Sequence, residues 1–227
     1  MNNAYLFDID GTLLKIKNKA NRKIIQSILN RLGIAENNVE ELDFAGKTDR
    51  SIFSTLLDDP QESLFNEVKE LYIGELDTRL AAGDIHVYEG VEDSLAYLAG
   101  RSAATGLLTG NFERAARIKL ERIGLNSHFS FGAFGDRHHN RNDLPPEAHK
   151  QLQDQSGSDY QPEQLVIIGD TPRDIRCARA FGSVAVAVAT GTFSRDELAR
   201  HKPDVLLTSL EEFPDWDRAF TAGNGRG

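Results

Sequence analysis

The sequence predicts an α/β fold, a Rossmann-like parallel sheet with helices on both faces and an inserted helical cap domain. Short apolar runs rich in branched residues recur along the chain and are predicted to form strands, at 5–7, 105–108, 129–134, 165–168, 184–188 and 205–207. Amphipathic stretches such as 112–123 separate most of these runs. Alternation of strands with helices is typical of a parallel sheet covered on both faces.

The segment 15–86 breaks this alternation, because it contains no convincing strand. Three amphipathic stretches fill it, at 19–32, 48–57 and 62–82. We interpret it as a helical cap domain inserted after the first strand, with 1–14 and 87–227 forming the catalytic core domain. Its two ends lie beside the end of the first strand, which suits a lid. The alternative, helices that merely flank the sheet, is weaker because a connection between strands seldom uses so many residues.

Composition limits the kinds of partner. The 227 residues carry a net charge of -9, which argues against nucleic-acid or anionic-membrane surfaces and favours small molecules. One cysteine, Cys177, excludes an internal disulfide, and no signal peptide or long apolar run is evident, so we expect a cytoplasmic protein. Cys177 is expected to be a small buried hydrophobe. The glycine-rich end, 221–227, is predicted to be disordered, and a monomer or homodimer is expected.

Two aspartates stand at the end of the first predicted strand. In the run Tyr-Leu-Phe-Asp-Ile-Asp-Gly-Thr, an apolar strand leads directly to Asp8 and Asp10. Strand side chains two positions apart lie on one side, about 6–7 Å apart, so both acids are expected to serve one site. Gly11 permits a sharp turn, and Thr12 places a hydroxyl close to whatever is bound. A solvated Asp-Gly turn is the alternative for this motif by itself.

A second apolar strand also ends in acids. The run Leu-Val-Ile-Ile-Gly-Asp-Thr-Pro-Arg-Asp places Asp170 after a strand and Asp174 about one helical turn later. Parallel strands end at one edge of a sheet, so these acids are expected to meet Asp8 and Asp10. Unit charges 4 Å apart repel by about 4 kcal/mol at an effective dielectric near 20, so a cation must join them. Oxygen ligands favour a hard cation, with Mg²⁺ predicted and Ca²⁺ as the competitor.

Thr109 stands where the second predicted strand passes into a helix. Its hydroxyl, with the backbone N–H groups of Gly110 and Asn111, could cradle a phosphate. A threonine that caps a helix is the commoner meaning of such a residue. Its position in the chain between the two acidic motifs makes Thr109 a candidate catalytic residue, with Gly110 and Asn111 as candidate substrate-binding residues.

These motifs together resemble the haloacid dehalogenase superfamily of phosphoryl-transfer hydrolases. Residues 8–12 match its first motif, 108–111 its second and 169–174 its fourth, and the match extends over nearly the whole chain. The stretches 111–125 and 191–204 also resemble the phosphoglycolate-phosphatase-like branch. The resemblance implies a first motif on a central strand, a helical cap inserted after it, and a phosphoaspartyl intermediate.

The resemblance also implies a role for each acid. Asp8 attacks phosphorus, and Asp10 protonates the leaving alkoxide and later deprotonates the attacking water. The implied Mg²⁺ ligands are Asp8, the backbone carbonyl of Asp10, Asp170 and, through water or an indirect contact, Asp174. With one basic side chain counted at the site, the charges favour a proton on Asp10. Dehalogenation is disfavoured, because halide displacement needs neither the second acid nor the metal.

The third motif departs from the family pattern, in which a lysine followed by proline precedes a helix. Here Pro145 and Pro146 suit a helix start, so Arg141 lies just ahead of it and Lys150 lies about 13 Å further along. We therefore assign the basic role to Arg141, whose permanent charge and forked donors suit phosphate or carboxylate. Lys150 in that role, and an ordinary solvated Arg141, are the alternatives.

Three further polar residues invite a functional interpretation. His138 and His139 are not expected to bind a metal, because adjacent side chains rarely chelate one ion. In the cap, a glycine loop opens a helix with Thr48 or Asp49 as its N-cap. Lys47 in this loop is a candidate substrate contact, as cap-loop residues are in relatives, and a solvated lysine is the alternative.

The sequence thus predicts an Mg²⁺-dependent phosphatase that acts on a small phosphate monoester, with phosphoglycolate or a phosphosugar as the expected substrate. One alternative is a phosphomutase of the β-phosphoglucomutase kind, in which a sugar hydroxyl receives the phosphoryl group. Another is a phosphate-binding regulatory protein without turnover. Asp10 argues against the second alternative, because a stable phosphoaspartate is better served without a neighbouring base.

Overall fold

The computed structural model describes residues 3–34, 39 and 43–224. Six parallel strands form the main sheet in the order β5-β4-β1-β6-β7-β8. They are β1 (Ala4–Phe7), β4 (Ala104–Leu108), β5 (Phe131–Ala133), β6 (Leu165–Gly169), β7 (Val184–Val188) and β8 (Val205–Leu207). The predicted α/β parallel sheet is confirmed, and the strand that carries the first acidic motif lies at its centre.

Helices cover both faces of this sheet. They are α4 (Val91–Gly100), α5 (Glu113–Glu121), α6 (Leu144–Ser156), α7 (Pro172–Phe181), α8 (Arg195–Arg200) and α9 (Phe213–Asn224). Alternate residues of β1 point to opposite sides, since Tyr5 and Phe7 belong to one apolar core and Ala4 and Leu6 to the other. A strand buried on both faces explains why β1 has no polar residue before Asp8.

The prediction of disorder at 221–227 is wrong for residues 221–224, which belong to α9. Phe220 stacks on Trp216 in this helix, with ring centroids 5.1 Å apart, and the Thr221 hydroxyl donates to the backbone carbonyl of Asp217. Local aromatic packing and helical hydrogen bonds therefore outweigh the glycine content here. Residues 225–227 lie outside the described part of the chain.

The inserted segment carries three helices, as predicted, and two strands that were not. The helices are α1 (Ala20–Arg31), α2 (Asp49–Leu56) and α3 (Glu62–Arg79). The prediction of no strand is wrong, because β2 (Leu14–Ile16) and β3 (Ile85–Val87) pair as an antiparallel ribbon at the base of the segment. Three residues per strand are too few to give a readable period. The ribbon straddles the predicted boundaries of the 15–86 cap domain, which stay a prediction.

No helix in the described ranges is long and apolar enough to cross a membrane.

A buried acid on α9 anchors the start of the central strand. Asp217 is fully buried, and its carboxylate accepts hydrogen bonds from the Tyr5 hydroxyl at 2.5 Å and the Tyr97 hydroxyl at 3.0 Å. Arg101 also donates to this carboxylate. Because Tyr5 is on β1, three residues before Asp8, this network ties the last helix to the strand that delivers the first motif.

We expect Asp217→Ala to lower the free energy of unfolding by about 3 kcal/mol, because it leaves the buried Tyr5 hydroxyl without its acceptor and removes the partner of Arg101. Asp215→Ala on the same helix is the matched control, since the Asp215 side chain is 84% exposed. Urea denaturation of both variants measures the difference. Equal losses in the two would contradict the anchoring role.

Candidate active site

Three buried carboxylates meet at the carboxyl edge of the sheet. Asp8 follows β1 and Asp170 follows β6, and these neighbouring strands pair Phe7 with Ile168. Asp174 lies in the first turn of α7. One carboxylate oxygen from each acid lies within 4.8 Å of the others, and each residue is 5% exposed or less.

Asp174 is held in place by the N-terminus of its own helix. Thr171 is the N-cap, and its backbone N–H and hydroxyl donate to Asp174 Oδ2 at 2.9 and 2.7 Å. The Thr171 hydroxyl in turn accepts from the backbone N–H of Arg173 and Asp174. This reciprocal capping uses one oxygen of Asp174 and leaves Oδ1 for the acidic cluster.

Arg141 supplies the positive charge among these acids. It lies in a short 3-10 turn before α6, is 5% exposed, and places Nη2 2.9 Å from Asp8 Oδ1 and 2.6 Å from Asp174 Oδ1. The same nitrogen donates to the backbone carbonyl of Leu108. Lys150, the alternative for this role, is exposed on α6 and is absent from the described lining of the cavity.

The three acids of this cluster outnumber their one arginine, and the pKa values of Asp8 and Asp170 are raised. Burial raises the pKa of Asp8 to about 6, although Arg141 opposes the shift. The pKa of Asp170 lies well above its usual range because of burial and the charges of Asp8 and Asp174. Arg141 keeps its proton, since the two acids beside it raise its pKa more than burial lowers it.

The donor set fits a hard metal ion. Asp174 Oδ1 is buried and, apart from its ion pair with Arg141, has no hydrogen-bond donor in the described structure. The three acids thus bring carboxylate oxygens together, and one of these oxygens has no donor. Such oxygens are the ligands that a hard divalent cation prefers. Asp8, Asp170 and Asp174 could therefore hold a metal ion.

Glycine is required beside Asp170 on two sides. A Cβ on Gly11, whose φ is +98°, would lie 2.2 Å from Asp170 Oδ2, and one on Gly191 would lie 1.7 Å from it. The Thr12 hydroxyl donates to Asp170 Oδ1 at 3.0 Å. Thr12, predicted to bind substrate, is thus placed to orient a candidate metal ligand. The requirement for glycine at position 191 was not predicted, because it arises from a tertiary contact between the loop after β7 and Asp170, which follows β6.

Asp10 has a partner that sequence reasoning missed. Its side chain is 40% exposed, and Oδ2 lies 2.6 Å from Lys119 Nζ and 2.8 Å from Asn111 Nδ2. The charge count that favoured a proton on Asp10 assumed one basic side chain. That assumption is wrong, because the site has two basic side chains, Arg141 and Lys119. The available signal was a lysine on the apolar face of the 112–123 stretch, where α5 buries Ala115 and Ala116 beside it.

The turn after β4 brings the remaining predicted residues to the same cavity. Thr109 is fully buried, and its hydroxyl accepts from the backbone N–H of Asn111 at 3.3 Å and from Asn111 Nδ2 at 2.8 Å. The hydroxyl of Thr109 therefore stabilises this turn and does not cap α5, which begins at Glu113. Gly110 is packed against the cap, since a Cβ there would lie 2.0 Å from the carbonyl oxygen of Lys47.

The inserted segment closes over this turn. The backbone N–H of Asp49 donates to the carbonyl of Gly110 at 2.6 Å, and the backbone N–H of Phe112 donates to Asp49 Oδ2 at 2.8 Å. The ring of Phe112 packs against Phe53 and Tyr72 of the cap, with centroids 5.5 and 6.3 Å apart. A cavity of about 780 Å³ lies between this segment and the sheet, and its lining includes the predicted site residues Asp8, Asp10, Lys47, Thr109, Gly110, Asn111, Arg141 and Asp170.

Asp49 lies in this cavity and does not cap α2. Thr48 is the N-cap, with its hydroxyl accepting from the backbone N–H of Ser51. Burial raises the pKa of Asp49 to about 7, against the opposing charge of Lys119. Sequence reasoning treated Asp49 only as a possible cap, because its approach to the turn after β4 is a tertiary contact.

The two histidines and the cysteine have other contacts. His138 Nε2 lies 2.6 Å from Glu147 Oε2, and His139 Nε2 accepts from Arg50 Nε at 3.1 Å. Cys177 is fully buried, and burial raises the pKa of its thiol to about 12. The burial of Cys177 confirms the expectation of a small buried hydrophobe.

Comparison with known proteins identifies the family. The sequence profile of haloacid dehalogenase-like hydrolases matches residues 5–188, and the chain belongs to this family. It is 35% identical over 123 residues to phosphoglycolate phosphatase of Synechococcus elongatus, covering 54% of this chain and 55% of that protein. It is 26% identical over 214 residues to pyrophosphatase PpaX of Bacillus pumilus, covering 92% and 94%. The chain thus spans about half the length of the phosphoglycolate phosphatase in that match.

Solved structures share the fold. A phosphatase described as predicted from Clostridium acetobutylicum superposes with a TM-score of 0.73 at 20% identity, covering 96% of this chain and all of that one. CbbY from Rhodobacter sphaeroides in complex with phosphate gives a TM-score of 0.72 at 20% identity, covering 94% and 96%. At this identity the likeness concerns the fold.

We expect Asp49 to make stability depend on pH. Its pKa is about 7 when folded against 3.8 as the ordinary value, so the folded chain binds more protons between these values and loses stability as pH rises through them. Asp49→Asn keeps an acceptor for Phe112 and removes the titration. The urea midpoint of the wild type relative to this variant, measured with chelator, should fall from pH 4.5 to 8.

Asp58→Asn, an exposed change in the same cap segment, is the control and should leave the pH dependence of the wild type unchanged. A wild-type midpoint that tracks Asp49→Asn at every pH would show that the pKa of the partly buried Asp49 is not raised on folding.

Proposed function

We propose that this protein is a Mg²⁺-dependent phosphatase that hydrolyses a small-molecule phosphate monoester through a phosphoaspartyl intermediate on Asp8. One observation carries the proposal: Asp8 lies among Asp170, Asp174 and Arg141 beside a cavity that Asp10 also lines. The family match and the phosphatases among the relatives support it.

Asp8 is the proposed nucleophile. One carboxylate oxygen is paired with Arg141, which orients the group and offsets charge as the oxygen attacks phosphorus. A bond forms between this carboxylate and phosphorus while the ester P–O bond breaks, and the leaving oxygen takes the electron pair. Burial raises the pKa of Asp8, while the charge of Arg141 opposes this shift and favours the ionised form that a nucleophile requires.

Asp10 is the proposed general acid and base. It gives a proton to the departing alkoxide and then takes a proton from the water that attacks the phosphoaspartate. Its side chain is partly exposed to the cavity, whereas that of Asp8 is buried, and this difference suits a group that exchanges protons with substrate and water.

Asp8, Asp170, Asp174 and the backbone carbonyl of Asp10 are the proposed holders of Mg²⁺. The bound ion would supply positive charge that offsets the phosphate dianion and polarises a phosphoryl oxygen. The Thr12 contact to Asp170 and the Thr171 contacts to Asp174 fix the orientation of two of these acids.

The phosphate group is proposed to lie against the turn after β4. The proposed contacts are the backbone N–H of Gly110, the buried hydroxyl of Thr109 and the side chain of Asn111, and Arg141 adds a permanent charge beside them. Lys47 lines the cavity from the cap and is the proposed contact for a more distant part of the substrate.

The size of the cavity favours the larger of the expected substrate classes. Its volume of about 780 Å³ equals the volume of about 25 water molecules in the liquid, and lies in the range of pockets for drug-sized ligands. Phosphoglycolate, with nine heavy atoms, would leave most of this space to solvent. We therefore propose a sugar phosphate as the substrate class. The cytoplasmic location and a monomer or homodimer stay predictions from the sequence.

Purified protein assayed against a panel of phosphorylated metabolites should release phosphate only with Mg²⁺, and sugar phosphates should give higher kcat/KM than phosphoglycolate. Asp8→Asn should lower kcat about 1,000-fold or more, because the amide cannot attack phosphorus. Asp93→Asn on the exposed side of α4 is the control and should match the wild type.

Full activity in excess chelator would remove the metal from the proposal, and substantial turnover by Asp8→Asn would remove the nucleophile. Isomerised product that requires a bisphosphate activator would select the mutase alternative, and a stable phosphoprotein without turnover would select the regulatory one.

A further inference from the structure

Among the described residues, Lys119 is the most buried cationic side chain, and the proposed mechanism has not used it. It is 1% exposed, and the helical period of α5 places it on the same face as Ala115 and Ala116. Burial of an ammonium group is costly unless it is paired and hydrogen-bonded. A leucine or methionine would serve packing alone at this position, so the contacts of the ammonium group must explain the lysine.

Those contacts join the proposed acid and base to the turn after β4. Lys119 Nζ lies 2.6 Å from Asp10 Oδ2 and 2.5 Å from Asn111 Oδ1. Asn111 Nδ2 donates to the same Asp10 oxygen at 2.8 Å and to the Thr109 hydroxyl at 2.8 Å. Asp10, Lys119 and Asn111 therefore form a closed triangle in which each side chain contacts the other two.

The triangle fixes one oxygen of Asp10 and leaves the other for chemistry. Both donors act on Oδ2, and no described protein group bonds Oδ1. A carboxylate on two single bonds can rotate freely, whereas two donors on one oxygen hold its plane and direction. The free oxygen is then presented to the cavity, where a leaving oxygen and an attacking water would lie.

Direct binding of substrate by Lys119 fits the geometry poorly. Lys119 borders the cavity, but only 1% of it is exposed, and two protein oxygens already lie within 2.6 Å of its ammonium group. Arg141 and Lys47 offer cationic groups to the cavity from the core and from the cap. Lys119 therefore acts on the reaction through Asp10.

We propose that Lys119 is a positioning residue that holds the Asp10 carboxylate in the orientation needed for both proton transfers. This inference rests on the proposed phosphatase function. It assigns Lys119 no contact with the substrate, so its loss should lower kcat and leave KM nearly unchanged. The rate should fall for reaction steps that need proton transfer by Asp10, and it should change little for steps that do not.

The test compares Lys119→Met, Lys119→Arg and the control Arg117→Met in the full-length protein with Mg²⁺. Arg117 is a partly buried cation on the same helix, and it contacts Asn126 and the carbonyl of Phe129 away from the site. Thermal melts establish that each variant is folded. Two substrates are used: the best alkyl phosphate from the panel, whose alkoxide needs a proton, and 4-nitrophenyl phosphate, whose leaving group does not.

For Lys119→Met we expect kcat on the alkyl phosphate to fall about 100-fold, with KM within about threefold of the wild type. With 4-nitrophenyl phosphate, rapid-quench measurements should give a burst of one nitrophenol per site followed by slow turnover. The burst arises because transfer to Asp8 proceeds while water attack, which needs Asp10, is slowed. Lys119→Arg should lie between this variant and the wild type, and Arg117→Met should show no burst and near-normal kcat.

A rise in KM with unchanged kcat would make Lys119 a substrate contact and overturn the proposal. Equal losses for Lys119→Met and Arg117→Met, or for the burst and steady-state steps, would also overturn it. If Lys119→Met does not fold, Lys119→Arg decides by the same split between kcat and KM. A wild type without turnover, or an active Asp8→Asn, would instead reject the phosphatase function itself.

Discussion

The bridge from Arg141 to Asp8 and Asp174 is the interaction on which the rest of the site depends. Two neighbouring parallel strands deliver Asp8 and Asp170 to one edge, and the first turn of α7 adds Asp174. Three buried carboxylates cannot share this space without a positive charge nearby. The guanidinium group of Arg141 offsets only part of their negative charge. The remaining negative charge is the basis of the proposed divalent cation site and of the phosphate site proposed beside it.

The inserted segment contacts the same edge of the sheet through the turn after β4. Asp49 exchanges hydrogen bonds with Gly110 and Phe112, and the Phe112 ring fills the aromatic cluster of the cap. The turn that is proposed to cradle the phosphate is therefore also the surface on which the cap rests. Lys119, on the helix that follows this turn, connects it to Asp10.

The sequence was enough to predict the parallel sheet and the residues that end its strands, because both depend on local patterns. Asp8, Asp10 and Asp170 directly follow apolar runs, and Arg141 precedes a helix that starts with two prolines. Lys119, Asp49 and Gly191 could not be assigned in this way, because their surroundings come from segments distant in the chain. The β2–β3 ribbon was missed for a different reason, since its strands are too short to show alternation. Tertiary contacts thus refine a site whose main groups local sequence already indicates.

Calorimetric titration with Mg²⁺ tests the central claim, that acids from separate motifs form one cation site, more directly than any rate measurement. The account predicts about one Mg²⁺ per wild-type chain, and at least a tenfold weaker affinity in Asp170→Asn, which keeps the shape of the side chain and the contact with Thr12 while removing one charge. Equal affinity in the two proteins, or no binding to the wild type, would contradict it.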